Sequence, residues 1–263
     1  NSGVAGVVRS FPYRLALAGG WIDQPFVSRH NPDPHGSMVV VSVEPTFHFM
    51  ERAGIATSTR NTALDLWGGL PDRPPEDLVR ELYREENRDK KYPSGSQDMI
   101  GLIYPGISRL DYDFEREGGV FPYDIESTND PEIAAWLQSV IHILPMNQRP
   151  AGYDPLEEQN LDPEWIGRLG RSGRHCFEAI LAMDVVALGA AMNETMACWA
   201  RILPNNFVHP VLTLDLPSIL QAYQGEYPGA VFSSCGGGYL YVISEDPVPG
   251  SFNVTIRLAP HAD

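Results

Sequence analysis

Four stretches rich in glycine or hydroxyl residues contain the side chains best suited to bind phosphate or to move a proton. A loop of small residues lets the backbone approach a ligand closely, while hydroxyl and carboxylate groups supply hydrogen-bonding and metal-binding oxygens. Each stretch alone is weak evidence of a site, because the same residues also form ordinary turns. The stretches are "FPYRLALAGGWIDQP" (11–25), "RAGIATSTRNTALDLW" (52–67), "YPSGSQDMIGLIYPG" (92–106) and "SSCGGG" (233–238).

The last of these stretches ends in three consecutive glycines, Gly236, Gly237 and Gly238, between runs rich in β-branched and aromatic residues. A two-residue hairpin turn needs at most two glycines, at its positive-φ positions. A third indicates that the backbone passes close to another part of the molecule. A merely permissive hairpin turn is the alternative that this stretch leaves open.

The stretch at 52–67 predicts a turn at Gly54 followed by a helix that begins near Arg60. Thr57, Ser58 and Thr59 stand just before that helix. Their side-chain oxygens either cap the helix, or they leave its first amides free to bind an anion. The stretch by itself does not decide between these two roles.

Taken in order, the stretches resemble the motifs of the GHMP kinase superfamily, named for galactokinase, homoserine kinase, mevalonate kinase and phosphomevalonate kinase. The second motif of the superfamily, Gly-Leu-Gly-Ser-Ser, is echoed by residues 54–58, and the third, Ser-Gly-Ala-Gly-Gly-Gly, by residues 233–238. The segment 93–106 resembles the one that carries the catalytic aspartate in sugar and heptose-phosphate kinases. The first motif, Pro-x-Arg-x-x-x-x-Gly-Gly-x-x-Asp, is matched by Pro12, Arg14, Gly19, Gly20 and Asp23.

The resemblance covers residues 12–258 and is closest to the heptose-kinase-like branch. It implies an ATP-dependent kinase that requires Mg²⁺ and phosphorylates a hydroxyl of a sugar or sugar phosphate. It also implies an α+β fold of two domains. The first, residues 1–147, would resemble domain 2 of ribosomal protein S5, and the second, residues 148–263, would be ferredoxin-like, with the site between them.

The resemblance also assigns roles to individual residues. Asp98 and Arg14 would be catalytic, with Asp98 assisting loss of the proton from the acceptor hydroxyl and Arg14 neutralising charge. Asp23, Gly19 and Gly20 would bind the substrate. The phosphates of the nucleotide would be bound by Gly54, Ala56, Thr57, Ser58, Gly236 and Gly237.

The metal would be held by Ser58 and by a carboxylate, for which the spacing to Asp98 selects Glu86. Three alternatives remain open at this point. Asp98 could cap a helix that starts at Met99, Asp23 could cap the segment that follows it, and Glu86 could be a solvated charge in the acid-rich run "REENRD".

Departures from the superfamily pattern support a second hypothesis, that of a GHMP-fold protein that binds a small molecule or a partner without phosphoryl transfer. Ala56 and Thr57 replace the usual Gly and Ser of the second motif. This adds side-chain atoms to residues 54–58, the loop that would bind the nucleotide phosphates, here called the phosphate loop. Trp21 stands where the superfamily has a small residue or His, and it would reshape the sugar pocket. The span from Asp23 to Gly54 is also short, so that part of the nucleotide pocket would be missing.

Hydrophobic patterning predicts the elements that position these residues. The predicted strands are "YRLALAG", "MVVVSVE", "LQSVIHIL", "AVFSS", "YLYVIS" and "FNVTIRLA", the last with regular alternation of apolar residues from Phe252 to Leu258. Helices are predicted at 74–91, where acidic residues lie at the start and lysines at the end, and as one continuous helix from His175 to Leu203. The segment 147–165, rich in Pro, Asn and acids, is predicted as the domain boundary.

The net charge of −15 argues against nucleic acid or an anionic membrane surface as a partner. An anionic substrate would therefore need locally placed arginines. The three cysteines are too few and too far apart for a disulfide framework or a zinc site, which favours a cytoplasmic protein with reduced thiols. The opening residues lack the layout of a signal peptide, and no apolar run is long enough to span a membrane. The sequence does not predict the oligomeric state.

Overall fold

The computed structural model describes residues 11–33 and 35–260. The opening residues 1–10, on which the signal-peptide prediction depends, lie outside the described range. The strands are β1 (Tyr13–Ala18), β2 (Gly36–Val43), β3 (Ile107–Tyr112), β4 (Asp124–Thr128), β5 (Ile141–Asn147), β6 (Gly229–Ser234) and β7 (Gly237–Ile243). The helices are α1 (Pro25–Ser28), α2 (Thr57–Trp67), α3 (Pro75–Asn87), α4 (Ser96–Ile103), α5 (Pro131–Val140), α6 (Pro163–Leu181), α7 (Val185–Ile202) and α8 (Leu216–Glu226), with short 3₁₀ turns at Glu117–Gly119 and Pro204–Asn206.

The first sheet has the order β1-β2-β3-β4, with every neighbouring pair antiparallel. Strand β2 reads "GSMVVVSV" and is buried along its whole length. A strand that is apolar at successive positions must be covered on both faces. Helix α4 packs against β1 and β2, and α6 packs against β2, so this sheet carries helices from both halves of the chain.

The second sheet has the order β5-β7-β6, again antiparallel. Strands β6 and β7 form a hairpin with its turn at Cys235 and Gly236; Gly237 and Gly238 begin β7, and both strands are fully buried. Helix α7 packs against β6 and against α6, and through α6 it is joined to the first sheet. The α+β class that the sequence predicts is therefore confirmed. The domain division at residues 147 and 148 remains a prediction; β5, which ends at Asn147, pairs with the second sheet.

Four strand predictions and the helix at 74–91 are confirmed, whereas two strand predictions need correction. "LQSVIHIL" is helical up to Val140, because Asp130 caps a helix that Pro131 begins, and only its second half is strand β5. "FNVTIRLA" forms no ladder. It pairs with the sheets through two isolated bridges, one from Phe252 to Ile143 and one from Ile256 to Val43.

The continuous helix predicted from His175 to Leu203 is also wrong, because the chain forms two helices there. Helix α6 ends at Leu181, Met183 adopts a left-handed conformation with φ 51°, and the Asp184 side chain accepts a hydrogen bond from the Ala187 amide to cap α7. Both helices bury apolar residues at helical spacing, so the spacing of apolar residues looks the same on either side of the turn. Periodicity therefore could not reveal the turn.

The three cysteines, Cys176, Cys198 and Cys235, are buried and unbridged. Within residues 11–33 and 35–260, no helix combines the length and apolar character needed to cross a bilayer.

Candidate active site

Arg14 and Asp98 form an ion pair at the centre of the candidate site. Arg14 lies on β1 with its side chain 4% exposed, and Asp98 lies in the first turn of α4 with its side chain 16% exposed. A second guanidinium nitrogen of Arg14 donates to the carbonyl oxygen of Gly54 at 3.1 Å. One side chain therefore joins the first, second and third of the chemistry-bearing stretches.

The alternative role for Asp98, as a helix cap, is wrong. Helix α4 begins at Ser96 rather than at Met99, its N-cap residue is Gly95, and no side chain caps it. Asp98 is thus free of a capping role and faces Arg14. Gln97 also donates to the Asp98 carboxylate, at 3.3 Å.

Asp23 is buried, 3% exposed, in the turn that follows β1. Burial raises the pKa of its carboxyl group to about 7, and the negative charge of Asp98 adds to the rise, while Arg14 opposes it. The segment around Pro93 and Gly95 covers Asp23, and the side-chain amide of Gln24 donates to the Pro93 carbonyl at 3.1 Å. Asp23 does not cap the next segment, because α1 has Gln24 as its N-cap residue and no side-chain cap.

Asp23 is expected to make the stability of the protein depend on pH. The native carboxyl group keeps its proton up to about pH 7, whereas in the unfolded chain it loses the proton near the ordinary pKa of 3.8. Between these values the native state binds more protons, so this group's contribution to the free energy of unfolding falls as pH rises through the window and levels off above it. We expect Asp23→Asn to be more stable than the wild type by about 2–4 kcal/mol above this window.

Urea unfolding at a series of pH values tests this expectation. The difference between Asp23→Asn and wild type should shrink towards zero as pH falls to about 4, where both side chains are neutral. Equal pH slopes for the two proteins would contradict the raised pKa of Asp23.

Gly19 and Gly20 bind the second half of the chain through their backbone groups. The Gly19 amide donates to the Thr195 hydroxyl at 3.2 Å, and the indole nitrogen of Trp199 donates to the Gly20 carbonyl at 3.0 Å. Both partners lie on α7. These contacts fix the turn that carries Asp23, and a direct contact of Gly19 and Gly20 with substrate remains a prediction.

Helix α2 starts at Thr57, three residues earlier than the sequence predicts. Its N-cap residue is Ala56, in the left-handed conformation with φ 59° and ψ 31°, and no side chain caps the helix. The hydroxyl of Thr57 is buried and has no hydrogen-bond partner among the described residues. The capping role proposed for Thr57, Ser58 and Thr59 is therefore wrong, and the amides of the first turn are left for another acceptor.

Glu86 lies beside this helix start, as its spacing to Asp98 predicts. Its carboxylate accepts from the hydroxyl of Ser58 at 3.2 Å and from that of Thr59 at 3.3 Å, and from Thr62, and it pairs with Lys90 at 2.6 Å. Burial alone would raise the pKa of Glu86, but the hydrogen bonds from Lys90, Thr62 and Ser58 lower it below its ordinary value. Glu86 is therefore a buried charged carboxylate, and the alternative of a solvated charge is wrong.

The segment 233–238, the glycine turn, packs against the loop at Gly54, and this contact explains the third glycine. A Cβ atom on Gly238 would lie 2.5 Å from the Ala53 carbonyl oxygen, and one on Gly54 would lie 2.3 Å from the Ser233 carbonyl oxygen. The Ser233 hydroxyl also donates to the Ala53 carbonyl. The two backbones thus approach more closely than any side chain allows. Together with the contacts of Arg14, this brings all four stretches into one site.

Sequence reasoning missed two residues that build the site, Gly101 and Asn147. Gly101 lets Arg14 cross α4, since a Cβ atom there would lie 1.9 Å from Arg14 Cγ. Asn147 holds the glycine turn: its amide nitrogen donates to the Gly236 carbonyl at 3.0 Å, and its amide oxygen accepts from Gly238 at 3.3 Å. The spacing of Gly101 one turn after Asp98 was a usable signal, whereas nothing in the sequence marked Asn147.

Comparison with solved structures identifies the fold. The chain is similar to L. major mevalonate kinase in complex with R-mevalonate, with a TM-score of 0.61, 12% identity and 96% of each chain covered. It is similar to Lactococcus lactis galactokinase complexed with galactose, with a TM-score of 0.61 and 11% identity over 90% of this chain and 85% of the other. A third match is a D-glycero-D-manno-heptose 1-phosphate kinase from Bacteriodes thetaiotaomicron, with a TM-score of 0.52 and 12% identity over 94% of each chain.

No family model matches the sequence, and no curated protein matches it significantly. The structural matches nevertheless extend over nearly the whole chain. The protein has the two-sheet α+β fold of the GHMP kinase superfamily, as the ordered motifs predict. Activity and substrate have to be argued from the site, because a fold alone does not specify them.

Proposed function

We propose that the protein is an ATP-dependent kinase that phosphorylates a hydroxyl group of a small sugar or sugar phosphate. The observation that carries the proposal is the double contact of Arg14, with the Asp98 carboxylate and with the Gly54 carbonyl of the phosphate loop. A phosphoryl-transfer site needs a proton acceptor and a phosphate-binding loop held next to one another. A cation between them lowers the electrostatic cost of bringing the Asp98 carboxylate close to the phosphates that the loop would bind.

The residues at the start of α2 fit a nucleotide phosphate. The N-terminus of the helix has no side-chain cap, the Thr57 hydroxyl has no partner among the described residues, and the N-terminal end of a helix attracts anions. Ala56 keeps a left-handed conformation that costs about 1–2 kcal/mol for a residue with a side chain. Retention of a strained loop of this kind is typical of ligand-binding sites.

Ser58 and Glu86 fit a magnesium ion, because Mg²⁺ binds to oxygen ligands and takes one or two carboxylates along with phosphates. Their side chains already contact each other at 3.2 Å. When bound, Mg²⁺ supplies positive charge that neutralises the phosphate oxygens. Glu86 is paired with Lys90, so the carboxylate is not an unpaired buried charge.

In the proposed reaction Asp98 accepts the proton of the acceptor hydroxyl, and Arg14 both orients that carboxylate and neutralises developing charge. Asp23 binds another hydroxyl of the acceptor. With a pKa of about 7, it offers either a protonated oxygen as donor or a carboxylate as acceptor near neutral pH. The fixed turn at Gly19 and Gly20 keeps Asp23 in place, and Gly236 and Gly237 bring bare backbone to the transferred phosphate.

The direct test is a screen for ADP release over free sugars, sugar phosphates and polyols in the presence of Mg·ATP. We expect one class of acceptor to stimulate turnover. Calorimetry with Mg·ATP separates the proposal from the second hypothesis, a GHMP-fold protein without phosphoryl transfer. Absence of detectable nucleotide binding at millimolar concentration would favour that binding protein.

A cytoplasmic location and the domain division after residue 147 are further parts of the proposal.

Glu86→Gln is expected to raise the Mg²⁺ concentration needed for half-maximal activity by about tenfold or more, because the neutral amide is a poor ligand. A titration of activity and of thermal melting temperature with Mg²⁺ in the presence of ATP measures this effect. Glu81→Gln is the matched control, since Glu81 lies on the same helix but pairs with Arg73 and Trp67. An unchanged Mg²⁺ requirement in Glu86→Gln would remove Glu86 from the metal site.

A further inference from the structure

Arg149 lies next to the glycine turn and to the phosphate loop, in a segment that the sequence predicts only as a domain boundary. Its backbone amide donates at 2.9 Å to the carbonyl oxygen of Arg52, which stands two residues before Gly54. Two residues before it, Asn147 holds the glycine turn. The backbone of Arg149 is therefore fixed at the border of the candidate site.

The guanidinium group of Arg149 has no negatively charged partner among the residues that the structure describes. Its Nε atom is buried without a hydrogen bond, and none of the carboxylates at 11–33 and 35–260 lies within ion-pair distance of it. The chain has 34 acidic and 19 basic residues, and arginines such as Arg14, Arg109 and Arg168 are paired with carboxylates. A partly buried cation left unpaired in such an acidic protein indicates that its partner is a ligand.

The surroundings of Arg149 connect it to the acceptor side of the site. Burial raises the pKa of the Cys235 thiol to about 11, while the charge of Arg149 and a hydrogen bond from Trp21 oppose the rise. Trp21 belongs to the turn that carries Asp23, and it holds a left-handed conformation with φ 83°, which is rare for so large a residue. The ring of Tyr153 packs over Gly236.

From this arrangement we infer that Arg149 binds an anionic oxygen group of the acceptor, so that the substrate is a phosphorylated or carboxylated alcohol rather than a neutral sugar. The assignment of this anion to a phosphoryl acceptor rests on the proposed function. A guanidinium group donates two parallel hydrogen bonds to phosphate or carboxylate, which suits a partly buried position whose Nε has no hydrogen-bond partner among the described residues. The phosphates of the nucleotide have their own site at the start of α2.

The experiment measures binding without turnover. Matched pairs of probes, ribose with ribose 5-phosphate and mannose with mannose 6-phosphate, together with inorganic phosphate and mevalonate, are titrated by calorimetry into the full chain without ATP. The proteins are wild type, Arg149→Gln and Arg149→Lys. The control is Arg201→Gln, which removes the same charge from α7, where Arg201 lies over the Trp165 ring.

We expect at least one anionic probe to bind about tenfold or more tightly than its neutral counterpart. Arg149→Gln should abolish that difference, Arg149→Lys should restore part of it, and Arg201→Gln should leave it unchanged. Affinity for Mg·ATP should stay within about twofold of wild type in Arg149→Gln, and circular dichroism should show an unchanged fold.

Three outcomes would overturn the inference. One is a loss of Mg·ATP affinity in Arg149→Gln with no loss of anionic-probe affinity, which would assign Arg149 to the nucleotide. Another is equal affinity of wild type for charged and neutral probes, and the third is no anion binding at millimolar concentration. Arg149-dependent binding of an anionic probe by a protein that never releases ADP would support the inference while contradicting the proposed kinase activity.

Discussion

Asp98→Asn is expected to lower the rate of substrate-dependent ADP release by about 10²–10⁴-fold, the contribution typical of a positioned proton acceptor. The amide keeps the shape of the carboxylate but cannot take the proton of the acceptor hydroxyl. It also leaves the buried Arg14 without its negative partner, so a loss of about 1–3 kcal/mol in the free energy of unfolding is expected as well. Steady-state kinetics and urea unfolding of the same preparations measure both effects.

The matched control for Asp98→Asn is Asp111→Asn, in which another buried, arginine-paired carboxylate is changed. Asp111 lies on β3 and bonds to Arg109 and to the Ser37 hydroxyl at 2.6 Å. It should lose stability to a similar extent while keeping its kcat. If Asp98→Asn retains wild-type turnover, Asp98 is not the proton acceptor, and if both variants lose only stability, the Arg14 pair is structural.

Gly54→Ala is expected to lower the free energy of unfolding by about 2–5 kcal/mol. The residue has φ 74°, which costs an alanine about 1–2 kcal/mol. The new Cβ atom would also lie 2.3 Å from the Ser233 carbonyl oxygen and 2.4 Å from Ser234 Cβ. Relief of that overlap requires the phosphate loop and the glycine turn to separate, at a further cost of about 1–3 kcal/mol.

Gly68→Ala isolates the two contributions, because Gly68 has nearly the same φ, 73°, but no atom within 4 Å of its added Cβ. It should lose only the conformational part, about 1–2 kcal/mol. Urea unfolding of both variants gives the difference. Equal losses would show that the close approach of the two loops contributes nothing to stability, and the folded fraction of Gly54→Ala should in addition bind Mg·ATP more weakly.

Local patterns in the sequence succeeded where local forces determine the structure. The helix at Pro75–Asn87 has proline and acids at its start and an apolar stripe, and it forms as predicted. The strands β6 and β7 flank a glycine turn and also form as predicted. Each of these signals lies within the element it describes.

The failures occur where distant contacts decide. The alternating segment at 252–259 has the pattern of a strand, but it meets two different sheets, with one isolated bridge to Ile143 of β5 and one to Val43 of β2. The two helices α6 and α7 share one apolar pattern, and only the left-handed Met183 and the capping Asp184 separate them. Side-chain periodicity reports which face is buried and not what covers it.

By itself, the sequence determined the order of the four stretches, from which the GHMP kinase fold and the identities of Arg14, Asp98 and Glu86 as candidate residues follow. Only the tertiary structure decided how those residues meet. It paired Arg14 with Asp98 and Gly54, buried Asp23 until its pKa rose to about 7, and left the buried Arg149 Nε without a hydrogen-bond partner among the described residues. Protonation and pairing depend on burial and on distances between atoms far apart in the chain, and residue spacing does not contain those distances.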